Sequence, residues 1–416
     1  MTILRTSVRT GALRSRSFRW LLAGSTVTNL GNGISPIALA FAVLDLGGSA
    51  SDLGAVVGIY ALADVLTVLF GGVLGDRLPR QRLMIWSSAL LAITQGVVAA
   101  SLVLGWGSIV ILAVLGAVNG SLGALSGPSS QAMTRQTVPA SDLASAITLR
   151  RLSQNTAQIV GAGLAGLAVA AFGSGWAIGI DAASFGLAAI CFTGIRVAPV
   201  LAPERASMLG EVRAGLVEVF RRTWLWVLIG QALIYHLFYG GASGVLGPIV
   251  VGDSLGRPAW GWALSTMMIG FVVGGLVTLR WRPRRPLYVG TWFLTLTAAF
   301  PAAMAFSHSL TLVLLGAFLH GFGLEIFSVG WDLSIQQNVP DEMLARVYSL
   351  DQVGSFVARP IGLALTGPIA EVVGFHRWLV VVAAVMLTST LLALTVPDVR
   401  RLQRHVVPNP VIEAVP

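Results

Sequence analysis

Lysine is absent from the 416-residue chain, and cysteine occurs once, at Cys191. A single thiol in an apolar run excludes a disulfide framework. With five histidines, and no H-E-x-x-H spacing, the chain also lacks a clustered ligand set that could cage a metal. Charge is scarce too: charged residues make up 11%, against roughly a quarter in soluble globular proteins. That scarcity excludes an ordinary water-soluble domain. What is present is apolar: 55% hydrophobic residues and a mean hydropathy of +0.80. Net charge +9 and a pI near 11.0 would suggest nucleic acid for a soluble protein. Here the distribution of the charge gives a better account. Every one of the 27 basic residues is arginine, which reads as the compositional bias of a GC-rich genome.

Apolar runs fall near 20–45, 54–75, 83–104, 108–130, 152–172, 176–195, 224–248, 259–279, 287–306, 310–333, 350–372 and 378–396. Each is long enough to cross a bilayer as a helix. Arginine sorts cleanly between alternate loops. One side receives the N-terminus, Arg77 to Arg82, Arg135, Arg150 and Arg151, Arg196 to Arg222, Arg280 to Arg285, Arg346 and the tail. The other receives only Arg257 and Arg377. By the positive-inside rule both termini are cytoplasmic, and the chain is a multi-pass protein of the inner (plasma) membrane. Residues 1–20 are then a cytoplasmic lead-in to the first helix, not a cleaved signal.

The chain repeats at an offset of 201 residues. Val138-Pro139 with Leu143-Ala144 aligns to Val339-Pro340 with Leu344-Ala345, and the register continues through Leu149/Leu350, Ala157/Ala358, Gly161/Gly362, Gly166/Gly367 and Gly173/Gly374. Gly71-Gly72 and Gly274-Gly275 stand at a similar offset. The reading is an all-α integral membrane fold: twelve transmembrane helices in two parallel six-helix halves, with a cavity between them near the midplane. The expected boundaries are 1–195 for the N-terminal half, 196–223 for a cytoplasmic linker, 224–398 for the C-terminal half and 399–416 for a cytoplasmic tail. The linker should carry an amphipathic surface helix over 211–222.

Span two ends in Gly71-Gly72-Val73-Leu74-Gly75-Asp76-Arg77-Leu78-Pro79-Arg80-Gln81-Arg82. This resembles the loop-two/three signature of the major facilitator superfamily, G-x-x-x-D-R-x-x-R-[RK], with Gly72, Asp76, Arg77 and Arg80 in matching positions. The resemblance implies a conformational latch at those four residues, not a substrate site. Leu30-Gly31-Asn32-Gly33, Ala42-Val43-Leu44-Asp45, Ile180-Asp181-Ala182-Ala183-Ser184-Phe185 and Arg359-Pro360-Ile361-Gly362 look like the bacterial efflux branch that includes enterobactin and macrolide exporters. That branch implies a proton-driven exporter of hydrophobic or amphipathic compounds. The chain departs from drug–proton antiporters in span four, where Gly116-Ala117-Val118-Asn119-Gly120 lacks an arginine. It departs again in span five, where Gly161 to Gly166 lacks the proline of G-P-x-x-G-G.

Ionisable groups at bilayer depth cost a few kcal/mol even on lenient scales, so each needs a partner, a cavity or a role. Asp64 lies about ten residues from either end of its span, near the midplane, with no cation of its own half at that depth. It is the first candidate proton carrier, with Glu325 and His236 next. Asn29, Asn32, Asn119, Gln158, Tyr235 and Tyr239 are candidate cavity-lining residues, the asparagines equally able to serve as interhelical hydrogen-bonding groups. Glu325 and Arg359 fall at matched estimated depth on consecutive helices and are expected to pair. Asp181, within two turns of the outer end of span six, reads as a structural cap or pair.

Function is expected to be secondary active transport, as proton-coupled export of a drug-, siderophore- or natural-product-like molecule. The alternatives are an uptake symporter or lipid-like-molecule facilitator of the same fold, or a non-transporting membrane receptor or scaffold. An enzyme is not expected, nor any cofactor or metal. Partners are a small-molecule substrate, protons and membrane lipids, with no nucleic acid, and the chain is expected to be monomeric.

Overall fold

The computed structural model describes residues 11–75, 79–197, 208–281, 283–306 and 308–403, which are helical throughout with no strand among them. Twelve helices are long and apolar enough to cross a membrane. They are α1 (Arg16–Asp45), α2 (Ala50–Gly75), α3 (Arg80–Val103), α4 (Ile109–Thr137), α5 (Leu143–Phe172), α6 (Ser174–Thr193), α7 (Thr223–Leu255), α8 (Arg257–Arg280), α9 (Pro286–Phe306), α10 (Leu310–Asn338), α11 (Asp341–Phe356 continuing as Arg359–Val373) and α12 (Phe375–Thr395). The surface helix expected in the linker is observed at Met208–Phe220. Large apolar side chains such as Trp86, Ile190 and Leu392 point outward, each about two-thirds exposed, where hydrocarbon takes the place of a protein core.

Local chemistry ends the helices where the repeat places its glycines. Gly173 and Gly374, which correspond at the 201-residue offset, both take a positive φ (87° and 99°) between α5 and α6 and between α11 and α12. Gly47, Gly105 and Gly256 do the same in the turns after α1, α3 and α7. All five lie on the face opposite the termini. A left-handed turn of one to five residues needs a residue without Cβ, so that face is made of tight reversals. On the other face, Ser15 caps α1 by accepting from Phe18 N at 3.2 Å, and its hydroxyl donates to Thr137 O at 2.5 Å, tying α1 to α4.

Three helices are irregular, and one of them, α9, tightens to a 3-10 turn over Thr295–Ala298. In α7 one turn widens to a π-turn over Ala242–Leu246, and α11 breaks between Phe356 and Arg359, where Pro360 restarts it. Proline suits a first helical turn and disrupts an interior.

The two halves meet along two seams, α2 against α11 and α5 against α8. Both are lined by small residues that let backbones approach. A Cβ at Gly54 would meet Leu363 O, one at Gly261 would meet Ala162 O, and one at Gly166 would meet Pro258 Cα. The apolar core has a matching layout. One cluster runs through both halves on the face opposite the termini. Toward the termini each half has its own, around Phe18, Met133 and Phe192 in one and Trp224, Leu287 and Ile335 in the other. The halves are therefore closed together at one end and apart at the other.

The closed end carries polar clasps between halves. The Arg257 guanidinium pairs with the Asp45 carboxylate and lies 5.1 Å over the Phe41 ring. Within the N-terminal half, Ser174 Oγ donates to Asp45 Oδ2 at 3.0 Å. Glu371 accepts from Ser51 N at 2.9 Å and Ser51 Oγ at 2.6 Å.

Candidate functional site

Between the halves lies a cavity of about 1080 Å³, the size of a drug-like ligand site or somewhat larger. Its N-terminal wall comes from α1 to α6, and its C-terminal wall from α7, α8, α10 and α11. Asn29, Asn32, Asp64, Asn119, Gln158, Tyr235, His236, Tyr239 and Arg359 all border it. The amides on the N-terminal side are engaged with one another. Gln158 Nε2 donates to Asn29 Oδ1 at 2.9 Å, Asn29 Nδ2 donates to Ser25 O at 2.7 Å, and Asn119 accepts from the Thr94 hydroxyl. Asn32 is exposed to the cavity.

The opposite wall is an aromatic and imidazole cluster. Tyr235 OH hydrogen-bonds His320 Nε2 at 2.7 Å, and His320 Nδ1 lies 2.8 Å from Thr297 O. A carbonyl can only accept, so Nδ1 carries the hydrogen and Nε2 accepts from the phenol. Tyr239 stacks on His320 with ring centres 4.2 Å apart, and the His236 ring stands 4.1 Å from that of Phe356. His236 Nδ1 donates to Ala232 O at 2.8 Å. His320 was not among the sequence candidates, although it stands 201 residues from Asn119. The repeat marks the position, but different chemistry at the two copies hides it from an identity search.

Arg359 does not pair with Glu325; among the described residues no ion pair joins them. Glu325 packs against Gly274 and Gly275 of α8, and the charges acting on it are those of Arg151 and Asp332. Asp332 likewise has Arg151 as its cation. Arg359 stands at the break in α11, where its charge reaches Asp64 of α2 across the seam, although among the described residues no ion pair joins those two either. Depth misled the sequence estimate, because α11 begins at Asp341. Arg359 is 18 residues from that end, whereas Glu325 is 13 from the inner end of α10. The cation whose charge reaches Asp64 comes from the other half.

Of the signature residues, Gly72 lies in α2 and Arg80 opens α3, while Asp76 and Arg77 lie outside the described residues. Further polar groups enter the wall unforeseen. Arg150 is buried and donates to Ser130 O at 2.5 Å and Thr134 Oγ1 at 2.6 Å, fastening α5 to α4. Gln95 and Asp181 also border the cavity. Gly252-Asp253-Ser254-Leu255-Gly256 has the G-x-S-x-G spacing of a hydrolase nucleophile. Ser254 is nevertheless inside α7, its hydroxyl donating to Val250 O at 2.6 Å. No strand-to-helix elbow exposes it.

The Major Facilitator Superfamily model matches residues 21–278 and 231–413. The chain is 28% identical over 410 residues to the multidrug efflux pump Tap of Mycolicibacterium fortuitum, covering 95% of this chain and 98% of that protein. It is 22% identical over 411 residues to macrolide efflux protein A of Streptococcus pyogenes, covering 92% and 97%. A mutant of the nucleoside transporter NupG shares the fold with a TM-score of 0.77 at 13% identity, over 91% of this chain and 99% of that one. A bacterial homologue of the iron transporter ferroportin in its inward-facing state gives 0.70 at 17% identity, over 91% and 98%. With family model, relatives and fold in agreement, the chain belongs to the Major Facilitator Superfamily and is a membrane transporter, not an enzyme.

Proposed function

We propose that the protein exports hydrophobic or amphipathic small molecules in exchange for protons. The observation that carries this reading is the composition of the cavity wall. Amides and the Asp64 carboxylate face an aromatic surface across a space large enough for a drug-sized molecule, and Arg359, whose charge reaches Asp64, belongs to the opposite half. Relatives bearing the names multidrug efflux pump and macrolide efflux protein support the substrate class.

Asp64 is the proposed proton carrier. As a carboxylate it attracts Arg359 across the seam, which favours α2 lying against α11. Once protonated it releases that attraction, and the two halves are free to rearrange about the seam. Proton binding is thereby linked to a change in which face of the cavity is open. The latch residues Gly72, Asp76, Arg77 and Arg80 act in the same cycle at the face bearing the termini, which we assign to the cytoplasm from the arginine distribution.

Ethidium serves as the test probe in proteoliposomes whose inserted protein has its termini outward. An acidic lumen should drive ethidium inward, and collapsing the gradient should stop it. Ethidium moving together with protons would instead identify a symporter, and no gradient-dependent flux would remove the transport reading.

A further inference from the structure

The mechanism proposed above uses Asp64 and leaves a second carboxylate of the same cavity without a role. Asp181 is 0% exposed, yet it borders the cavity. Its Oδ2 accepts from Gln95 Nε2 at 2.8 Å, and the same nitrogen donates to Ser35 Oγ at 3.0 Å. Its Oδ1 has no hydrogen-bond partner. The nearby Ser184 hydroxyl is committed to the Asp181 carbonyl at 2.7 Å. On α1 the residue facing it is Gly31, where a Cβ would collide with both Oδ1 and Ser184 Oγ. Glycine at that position is what lets α1 close over the carboxyl group.

Among the described residues, the surroundings supply no countercharge. Helix α6 packs against α1, α3 and α5. From α1 come Gly31 and Ser35, and from α3 comes Gln95. None of the three helices brings a charged or titratable group to Asp181, and no basic side chain acts on it. The titratable group in electrostatic reach is the Tyr60 phenol of α2, which is neutral at physiological pH. A carboxylate ion here would have one oxygen stripped of water, donor and cation together, an arrangement far costlier than a buried neutral acid. The hydrogen bond from Gln95 meets Oδ2 alone, and Oδ1 is left unmet.

We infer that Asp181 is a second proton-carrying site, holding its proton while α1 lies on α6 and exchanging it only when that seam parts. On parting, the carboxyl O–H bond breaks, the proton passes to water admitted from the cavity, and the electron pair stays on the carboxylate beside Gln95. Reprotonation from water in the alternate state closes the cycle. The inference rests on the proton-coupled reading above and makes the exchange a two-proton one.

Infrared difference spectra of the purified full chain through a pH titration detect protonated carboxyl groups with neither substrate nor gradient. A carboxylic C=O band should disappear in Asp181→Asn and persist in Asp64→Asn. Gln95→Leu keeps Asp181 but removes its donor, so it should shift that band and leave the Asp64 band in place, which covers a poorly folding Asp181 variant. In proteoliposomes with ethidium, Asp181→Asn should lower the proton-to-ethidium ratio by about half. A spectrum unchanged by both Asp181→Asn and Gln95→Leu overturns the inference, as does an unchanged ratio in an Asp181→Asn variant that transports. Ethidium flux indifferent to the proton gradient in the wild type overturns the proton-coupled reading instead, whatever the spectra show.

Discussion

Arg359 shows how much a single side chain's address decides. Had it met Glu325, the charge pair would lie wholly within the C-terminal half and would have no reason to respond to the halves moving. With its charge reaching Asp64, it would, under the proposed mechanism, make the α2–α11 seam sensitive to one proton. Asp64→Asn should sharply reduce gradient-driven ethidium accumulation, leaving only the share coupled through Asp181, while downhill exchange survives. A mutant cycle distinguishes the two pairings. Asp64→Asn with Arg359→Gln should show a coupling of about 0.5–3 kcal/mol in thermal unfolding of the purified protein, whereas Glu325→Gln with Arg359→Gln should be additive to within about 0.5 kcal/mol. Additivity in the first cycle would sink the assignment. Asp76→Asn should leave insertion and folding intact and slow the transport cycle, read as a lower initial rate of ethidium flux at unchanged yield.

Among the elements, α5 and α8 make the sharpest stereochemical demand. A Cβ at Gly261 would stand 2.5 Å from the Ala162 carbonyl oxygen, and backbone cannot move aside as a flexible side chain does. Gly261→Ala should therefore cost about 1–3 kcal/mol of stability in this closed arrangement, as overpacking does elsewhere. Gly116→Ala, whose Cβ meets nothing within 4 Å, should be neutral or gain about 0.5–1 kcal/mol from helix propensity. Comparable melting temperatures for the two would contradict the packing argument. The spans themselves were legible in sequence because Arg77 to Arg82 and Arg280 to Arg285 interrupt the hydropathy, and the 201-residue repeat was legible in its glycines. The π-turn of α7 and the break in α11 were not. Pro360 suggests a start but gives no measure of the helix before it, so the depth of Arg359 came out wrong. Asp181 was visible as a residue and read as a cap or pair; sequence places it along α6 but cannot say that α1 covers it with a glycine.

For the whole molecule, the sealed end sets the resting state. The Asp45–Arg257 pair spans the halves with each side chain about a third exposed, so it is worth about 1 kcal/mol or less. Arg257→Gln should move the balance toward the state open at that face by up to about fivefold, and the difference should shrink in high salt. Spin labels at Trp106→Cys and His376→Cys in a Cys191→Ser background would report it as growth of a longer-distance population, and an unchanged distribution would count the pair as decoration. The electrostatic reach of Arg359 to Asp64 could not be read along the chain, since nearly three hundred residues separate them and only the seam brings their helices together.

The turns opposite the termini have a practical consequence. Gly173, Gly256 and Gly374 each make an entire connection, with φ values that other residues adopt only under strain. That surface offers no slack chain for a protease to grip, an antibody to wrap or an engineer to lengthen. Affinity tags, reporter insertions and crystallisation chaperones for this transporter therefore belong on the arginine-bearing face, where the 194–222 connection is long enough to take them.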